Sequence, residues 1–385
     1  MASGYPLVVF SHLRWSFVYQ RPQHVLSRLA TRRPVLFIEE PELDPAGPPR
    51  WERTTPAPGV TVFRPRTPLA EPGFHPAQLR LLEPMMEEIR AAAASPGGVM
   101  AWLYTPMALP LARRLDPVLV AYDCMDELAM FLGAPPELLQ REAELMEVAD
   151  VVFTGGPSLY RAKLGRHPNV HCFASSVDAA HFGRALPAER GGDAVEPADQ
   201  RDLPGPRLGY YGVIDERLDL PLVAALAEAH PEWQIVLVGP VVKIDPAGLP
   251  RGANIHYTGQ RSYDELPAYL AGWDVCLLPF ARNDSTRFIS PTKTLEYMAA
   301  ERPIVSTPIT DVAEPYGEIV YLGDTPEAFI RACERALAAD GKERARRAAL
   351  MRGVLARTSW DATAAGMDAC LAACLAPDAA SAASA

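Results

Sequence analysis

Short apolar, β-branched runs recur along this chain with helix-like segments between them, and no other feature narrows its fold as much. In the first half the runs are "PLVVF", "PVLFIEE", "GVTVF", "VMAWLY", "PVLVAY", "DVVFTGG" and "NVHCFASS". Their apolar residues do not alternate with polar ones, which suits strands buried on both faces of a parallel sheet. The segments between them, such as "PQHVLSRLA" and "PPELLQREAELMEVA", carry helical periodicity. The alternation predicts a doubly wound α/β domain.

From Leu186 to Arg207 the pattern breaks. "LPAERGGDAVEPADQRDLPGPR" is rich in Pro, Gly and charge and poor in apolar residues, so it reads as a linker. The βα series then restarts with "RLGYYGV", "QIVLVGP", "NIHYTG", "DVCLLPF", "PIVST" and "EIVYLG". With 385 residues there is room for two cores. The expected organisation is a Rossmann-like domain over 1–185, a linker over 186–206 and a second Rossmann-like domain over 207–355. A helix over 356–375, with Ser359 available as its N-cap, is expected to pack back toward the first domain, and 376–385 reads as a disordered tail. Ligands bind beyond the carboxyl ends of strands in such sheets, so two in series are expected to share a cleft.

A formal charge of −10 argues against a nucleic-acid binder. One basic stretch stands out, with Arg14, Arg21, Arg28, Arg32 and Arg33 close together; it reads as a solvated helix face or as a surface for phosphates or anionic lipid. Six cysteines show no CxxC pair and no zinc-ligand spacing, which suits reduced, mostly buried thiols in a cytoplasmic protein. The opening "MASGYPLVVFSHLRW" lacks the pattern of a signal peptide, and nowhere do about 18 apolar residues run together. The expectation is a cytoplasmic protein, at most peripheral at the inner face of a membrane.

The usual nucleotide and catalytic signatures are missing. There is no GxxxxGK[ST], no GxGxxG after the first strand, no HExxH, no GxSxG and no DxD pair. No metal ligand set is expected. An anion seat can instead be read in "STRFISPTKTLEYMAAERPIVS". Ser290 is placed to cap a helix whose first turn admits Pro291, leaving first-turn N–H groups near Thr292 and Lys293 for an anionic group. Lys293 runs against the preference for acids at helix starts, and a bound diphosphate would explain it. Glu296, a turn deeper on the same face, can accept two hydrogen bonds from a vicinal diol, as acids do with ribose hydroxyls. The bland alternative is an exposed i,i+3 ion pair between Lys293 and Glu296. Arg217 is a second cation at a strand-to-helix junction, unless it pairs with Asp215 or Asp219.

These residues resemble the donor domain of GT-B glycosyltransferases, especially the retaining family 4 (glycosyltransferase group 1) bacterial enzymes of polysaccharide and cell-envelope biosynthesis. The resemblance runs from "LGYYGVIDERLDLPLVAALAEAHPEWQIVLVG" through "NIHYTGQRSYDELPAYLAGWDVCLLPF" to "SPTKTLEYMAAERPIVST", and more loosely through "SHLRWSFVYQRPQHVLSRLA" and "YDCMDELAMFLGAP". It implies an acceptor domain followed by a nucleotide-sugar donor domain. Glu296 would hold the ribose, Lys293 and Arg217 would lie near the diphosphate, and Gln260 with Arg261 near the base. Position 288, where the family often carries a glutamate for the donor sugar, is Phe288, and the nearest acid is Asp284. Arg217 is not followed by the family's lysine, a charge that Lys293 can replace.

The implied reaction moves a hexosyl group from a UDP- or GDP-linked sugar to an acceptor hydroxyl, with retention and without metal. Arg217, Lys293 and the helix after Ser290 would stabilise the departing diphosphate. The acceptor would be a glycan, a lipid-linked glycan or a small molecule. On the acceptor side Asp123 is the candidate catalytic residue, with His24, Arg21, Tyr104 and Asp126 as further candidates. Each has an ordinary alternative: a turn residue at Asp123, a helix cap at Asp126, a satisfied helix histidine at His24. Two other functions fit the same plan. A sugar-nucleotide 2-epimerase would need acid/base carboxylates and histidines in both domains, and a non-catalytic two-domain ligand-binding protein would more often carry an export signal.

Overall fold

The computed structural model describes residues 4–376 and divides the chain into two compact units. One comprises Met1–Ala174 with Trp360–Ala385, the other Ser175–Ser359.

The first unit holds β1 (Leu7–Ser11), β2 (Val35–Glu39), β3 (Glu42–Leu43), β4 (Arg50–Ala57), β5 (Val60–Thr67), β6 (Met100–Leu103), β7 (Leu119–Cys124), β8 (Val151–Thr154) and β9 (Val170–Cys172). They form one sheet in the order β3-β5-β2-β1-β6-β7-β8-β9, parallel throughout, with β4 pairing antiparallel to β5. The seven apolar runs of the first half each supply one strand, and β1, β2, β6 and β8 are buried along their whole length. β3 and β4 escape the apolar pattern. β4, "RWERTTPA", lies largely exposed, so its sequence has no reason to be apolar. It turns back into β5 at Gly59, whose φ of 74° is a left-handed conformation that glycine adopts without strain.

The C-terminal helix, Trp360–Leu375, belongs to this unit. Trp360, Met367 and Leu371 join the core that contains Val25, Leu26 and Leu29 of the helix Arg21–Leu29. Trp360 stacks on His24 with ring centres 4.6 Å apart. The basic stretch is spent on structure: Arg14 pairs with Glu39, Arg21 with Asp123, Arg28 with Asp361, and Arg32 and Arg33 with Asp368. Of the 376–385 tail only Ala376 is among the described residues.

The second unit holds β10 (Arg207–Tyr211), β11 (Gln234–Val238), β12 (Ile255–Gly259), β13 (Val275–Leu278), β14 (Ile304–Ser306) and β15 (Tyr321–Leu322). Their order, β12-β11-β10-β13-β14-β15, is that of a doubly wound Rossmann sheet, with the direction of winding reversing between β10 and β13. The six apolar runs after residue 206 each contribute one strand. Apolar cores lie on both faces of the sheet, as uninterrupted apolar strands require.

This unit begins at Ser175, earlier than the expected boundary after residue 185, because Val177, Phe182 and Ala185 pack with Tyr211, Trp273 and Tyr297. Residues 186–206 are not a loose linker. Gln200 is buried, accepts from Trp273 Nε1 at 2.7 Å and donates to the Tyr269 carbonyl at 2.9 Å. Arg207 pairs with Glu196 and Arg190 with Glu301. Polar contacts order this segment, so its lack of apolar residues misleads. All six cysteines are free. Among the described residues, no helix is long and apolar enough to cross a membrane.

Candidate functional site

The point where winding reverses in a doubly wound sheet leaves a crevice beyond the carboxyl ends of two neighbouring strands. In the second unit these are β10 and β13. β10 is followed by Gly212 (φ 137°) and β11 by Gly239 (φ 148°), both in backbone conformations that side-chain-bearing residues rarely adopt. The two glycines also permit close approach, since a Cβ on Gly239 would lie 1.9 Å from the Gly212 carbonyl oxygen.

Lys293 uses the space this opens. A Cβ on Gly212 would lie 2.2 Å from Lys293 Cε, and the ammonium sits 5.5 Å from the centre of the Tyr210 ring. Lys293 is the second residue of the helix Thr292–Ala299. The start of that helix differs from the expectation. Pro291, not Ser290, occupies the N-cap position, and no side chain caps the helix. The Ser290 carbonyl instead accepts from Ser175 Oγ at 2.6 Å. An uncapped start keeps its dipole available to an anion.

One turn deeper, Glu296 is buried, and Tyr211 donates its hydroxyl to Oε2 at 2.7 Å. Burial pushes the Glu296 carboxyl above its ordinary pKa, while Tyr211, Lys293 and Thr292 pull in the opposite direction. Tyr211 was not singled out from the sequence. The available signal was an aromatic pair, "YY", at the carboxyl end of the first strand of a Rossmann unit.

Arg217 takes its ordinary alternative. Its guanidinium meets Asp215 through Nε at 2.9 Å and Nη2 at 2.7 Å, while Asp219 caps the helix Leu220–Ala229. The arginine remains about a quarter exposed, and its carbonyl accepts from Ala281 N at 2.8 Å, tying the loop after β10 to the loop after β13. Glu216 beside it has both carboxylate oxygens buried without a hydrogen-bond partner, a feature the sequence did not flag.

The remaining donor-side candidates are more dispersed. Arg261, after β12, donates to Tyr269 Oη and to Asp199, each at 2.6 Å, and Gln260 is exposed. Asp284 is exposed at the start of the single turn Asp284–Thr286, and Phe288 lies under the Arg287 guanidinium at 5.2 Å. The structure thus groups Lys293, Glu296 and Tyr211 around Gly212, with Arg217 further along the loop that Gly212 opens.

In the first unit the candidates are packed inside. Asp123 lies within β7 rather than in a turn after it, fully buried, and Arg21 meets it through Nε at 3.1 Å and Nη2 at 2.8 Å. Burial alone would lower the Arg21 pKa, but Asp123 holds it above its ordinary value. Arg21 Nη1 also donates to the Phe173 carbonyl at 2.5 Å. Tyr104 is buried nearby, its phenol pKa well above the ordinary value because of burial. His24 is buried between Tyr19 and Trp360. Asp126 follows β7, and its carbonyl accepts from Cys124 Sγ at 3.6 Å; the segment beyond it makes only the single turn Leu128–Met130, without a side-chain cap.

Comparison with known proteins follows this geometry. Residues 206–339 match the family described as Glycosyl transferases group 1. The chain is 28% identical over 308 residues, 73% of each sequence, to the putative teichuronic acid biosynthesis glycosyltransferase TuaH of Bacillus subtilis (strain 168). Among solved structures, sucrose-phosphate synthase from Thermosynechococcus elongatus superposes with a TM-score of 0.66 at 17% identity, covering 94% of this chain and 97% of that one. A structure titled trehalose-6-phosphate from E. coli, bound with UDP-2-fluoro glucose, gives 0.64 at 13% identity, covering 94% and 98%. At these identities the structural likenesses speak to the fold, while the sequence matches speak to the activity. The chain carries a glycosyl transferases group 1 domain over residues 206–339 and is a glycosyltransferase of the GT-B fold.

Proposed function

We propose that this glycosyltransferase moves a hexosyl group from a UDP-sugar to a hydroxyl of a glycan acceptor, with retention and without metal. The observation that carries the reading is Lys293, laid across Gly212 at an uncapped helix start, with the Glu296 carboxylate one turn deeper. A diphosphate at this helix start meets the ammonium and the helix dipole together. Glu296 then takes the ribose hydroxyls, with Tyr211 orienting its carboxylate. UDP is preferred over GDP because the E. coli structure is described with UDP-2-fluoro glucose. A cell-wall glycan acceptor accords with the name of the Bacillus subtilis relative. Such an acceptor places the enzyme in the cytoplasm, at the inner face of the membrane.

In the reaction the bond between the sugar anomeric carbon and the β-phosphate oxygen breaks, and UDP leaves with the electron pair. The acceptor oxygen forms the new bond on the same face, and its proton passes to the departing phosphate oxygen. Negative charge grows on the β-phosphate as the sugar takes on oxocarbenium character. Lys293, Arg217 and the helix start stabilise that charge, each preorganised where it develops. Gln260, Arg261 and Asp284 line the approach to the base and sugar in this reading. Asp123, held by Arg21, positions the first helix of the acceptor unit, near His24, Tyr104 and Asp126.

Incubation with labelled UDP-glucose, UDP-N-acetylglucosamine and GDP-mannose tests the proposal. Release of UDP, with transfer or slow hydrolysis, is expected. Conversion of UDP-N-acetylglucosamine to its 2-epimer, or binding without turnover of any donor, would overturn it.

A further inference from the structure

The second unit has a cavity of about 440 Å³ at the opposite edge of its sheet from Lys293. It is lined by Pro206, Asp274 and Pro303, the residues immediately before β10, β13 and β14, so it opens at the amino ends of these parallel strands. Nucleotide sites in doubly wound sheets lie at the carboxyl ends, so this cavity is no extension of the donor site.

Its lining combines cationic and apolar residues. Arg302, Arg344 and Arg347 line it together with Tyr321, Leu337 and Met351. The two acids at its rim are already engaged. Glu301 is paired with Arg190 and Arg352, and Asp274 Oδ2 accepts from Arg207 N at 2.8 Å. Arg347 is committed as well, to Glu343 and to the face of Tyr321, 3.7 Å from the ring centre.

Arg302 and Arg344 are different. Neither pairs with a carboxylate among the described residues. Arg302 gives Nη2 to the carbonyls of Ala185 and Ala271, at 3.2 and 2.6 Å, while its Nε is buried without a hydrogen-bond partner. Leaving a guanidinium N–H buried and unmatched costs free energy. Glu301 holds a left-handed φ of 51°, unusual for a residue with a side chain, in the turn that places Arg302 at the wall.

We propose that this cavity binds a small phosphomonoester. Its dianion matches the two guanidiniums that have no carboxylate of their own, and guanidinium forks suit phosphate oxygens. Its organic part meets the apolar lining at Leu337, in a volume within the range of small-molecule sites.

Phenyl phosphate, which joins a dianion to one ring, is the probe. Titrated into the full chain in a calorimeter, it is expected to bind one saturable site. Arg344 is exposed, and its guanidinium makes one hydrogen bond, to the Leu337 carbonyl, so Arg344→Glu leaves the fold intact. It is expected to weaken phenyl phosphate binding by about tenfold or more while UDP affinity stays unchanged. Arg302→Lys, which keeps the charge and loses the guanidinium fork, is expected to weaken it as well. Lys293→Ala is expected to leave phenyl phosphate affinity intact. Absence of saturable binding, equal affinity in Arg344→Glu, or loss of binding in Lys293→Ala would overturn the proposal, the last by placing the phosphate in the donor site.

Discussion

The two units place similar charges at the carboxyl ends of their strands and use them in opposite ways. In the first, Arg21 at the start of a helix meets Asp123 of β7 in a forked ion pair, both fully buried. In the second, Lys293 at the start of a helix lies over a glycine and a tyrosine ring, while Arg217 forks onto Asp215 but remains partly exposed. A fully buried forked pair is closed to a ligand, whereas the half-buried Lys293 lies at a helix start that can receive an anion. Residue type alone does not distinguish the two. What surrounds each cation does.

The largest effect expected from breaking this contrast is in the first unit. Asp123→Ala strands a buried guanidinium and is expected to cost about 3–5 kcal/mol of stability, read from urea unfolding followed in the first unit. An unchanged midpoint with lost turnover would make Asp123 a reacting group instead of a structural partner. Lys293→Ala should behave in the opposite way, lowering turnover by roughly two to three decades with little change in thermal midpoint. Equal losses of stability and rate would mean that the lysine is as structural as Arg21.

Gly212→Ala sharpens the same point with a smaller effect. The new methyl would meet the lysine side chain at a φ of 137°, so a stability loss of about 1–3 kcal/mol is expected, together with slower turnover. Recovery of turnover in Gly212→Ala by shortening the lysine would be inconsistent with a required ammonium at that place.

The sheets were legible because buried parallel strands must be apolar, and all thirteen runs read from the sequence became strands. β4 was not, because an edge strand facing solvent carries Arg, Glu and Thr. The 186–206 segment was misread for a related reason: Gln200 and Arg207 order it by hydrogen bonds and an ion pair, which leave no apolar trace. In the site, the spacing of Lys293 and Glu296 was visible because both lie in one helix. Tyr211 and Gly212 were not, since they come from β10, more than 80 positions away, and only the folded sheet brings them to that helix. The start of the helix was displaced by one position, because Ser290 turns its carbonyl to Ser175 and leaves Pro291 at the cap.

Glu296 gives the account its most direct test. Its pKa in the folded chain lies above the ordinary value of 4.5, so the stability it contributes is fully present below that value and is lost as pH rises through the raised one. At neutral pH the raised pKa therefore counts against folding. Calorimetric titration of UDP into the full chain and into Glu296→Gln, with thermal midpoints measured alongside at neutral pH, separates the two roles. UDP affinity is expected to be lower by about tenfold or more in the variant, with a midpoint unchanged or higher. Unchanged UDP affinity, or a midpoint that falls with it, would contradict the assignment of this helix start as the nucleotide site.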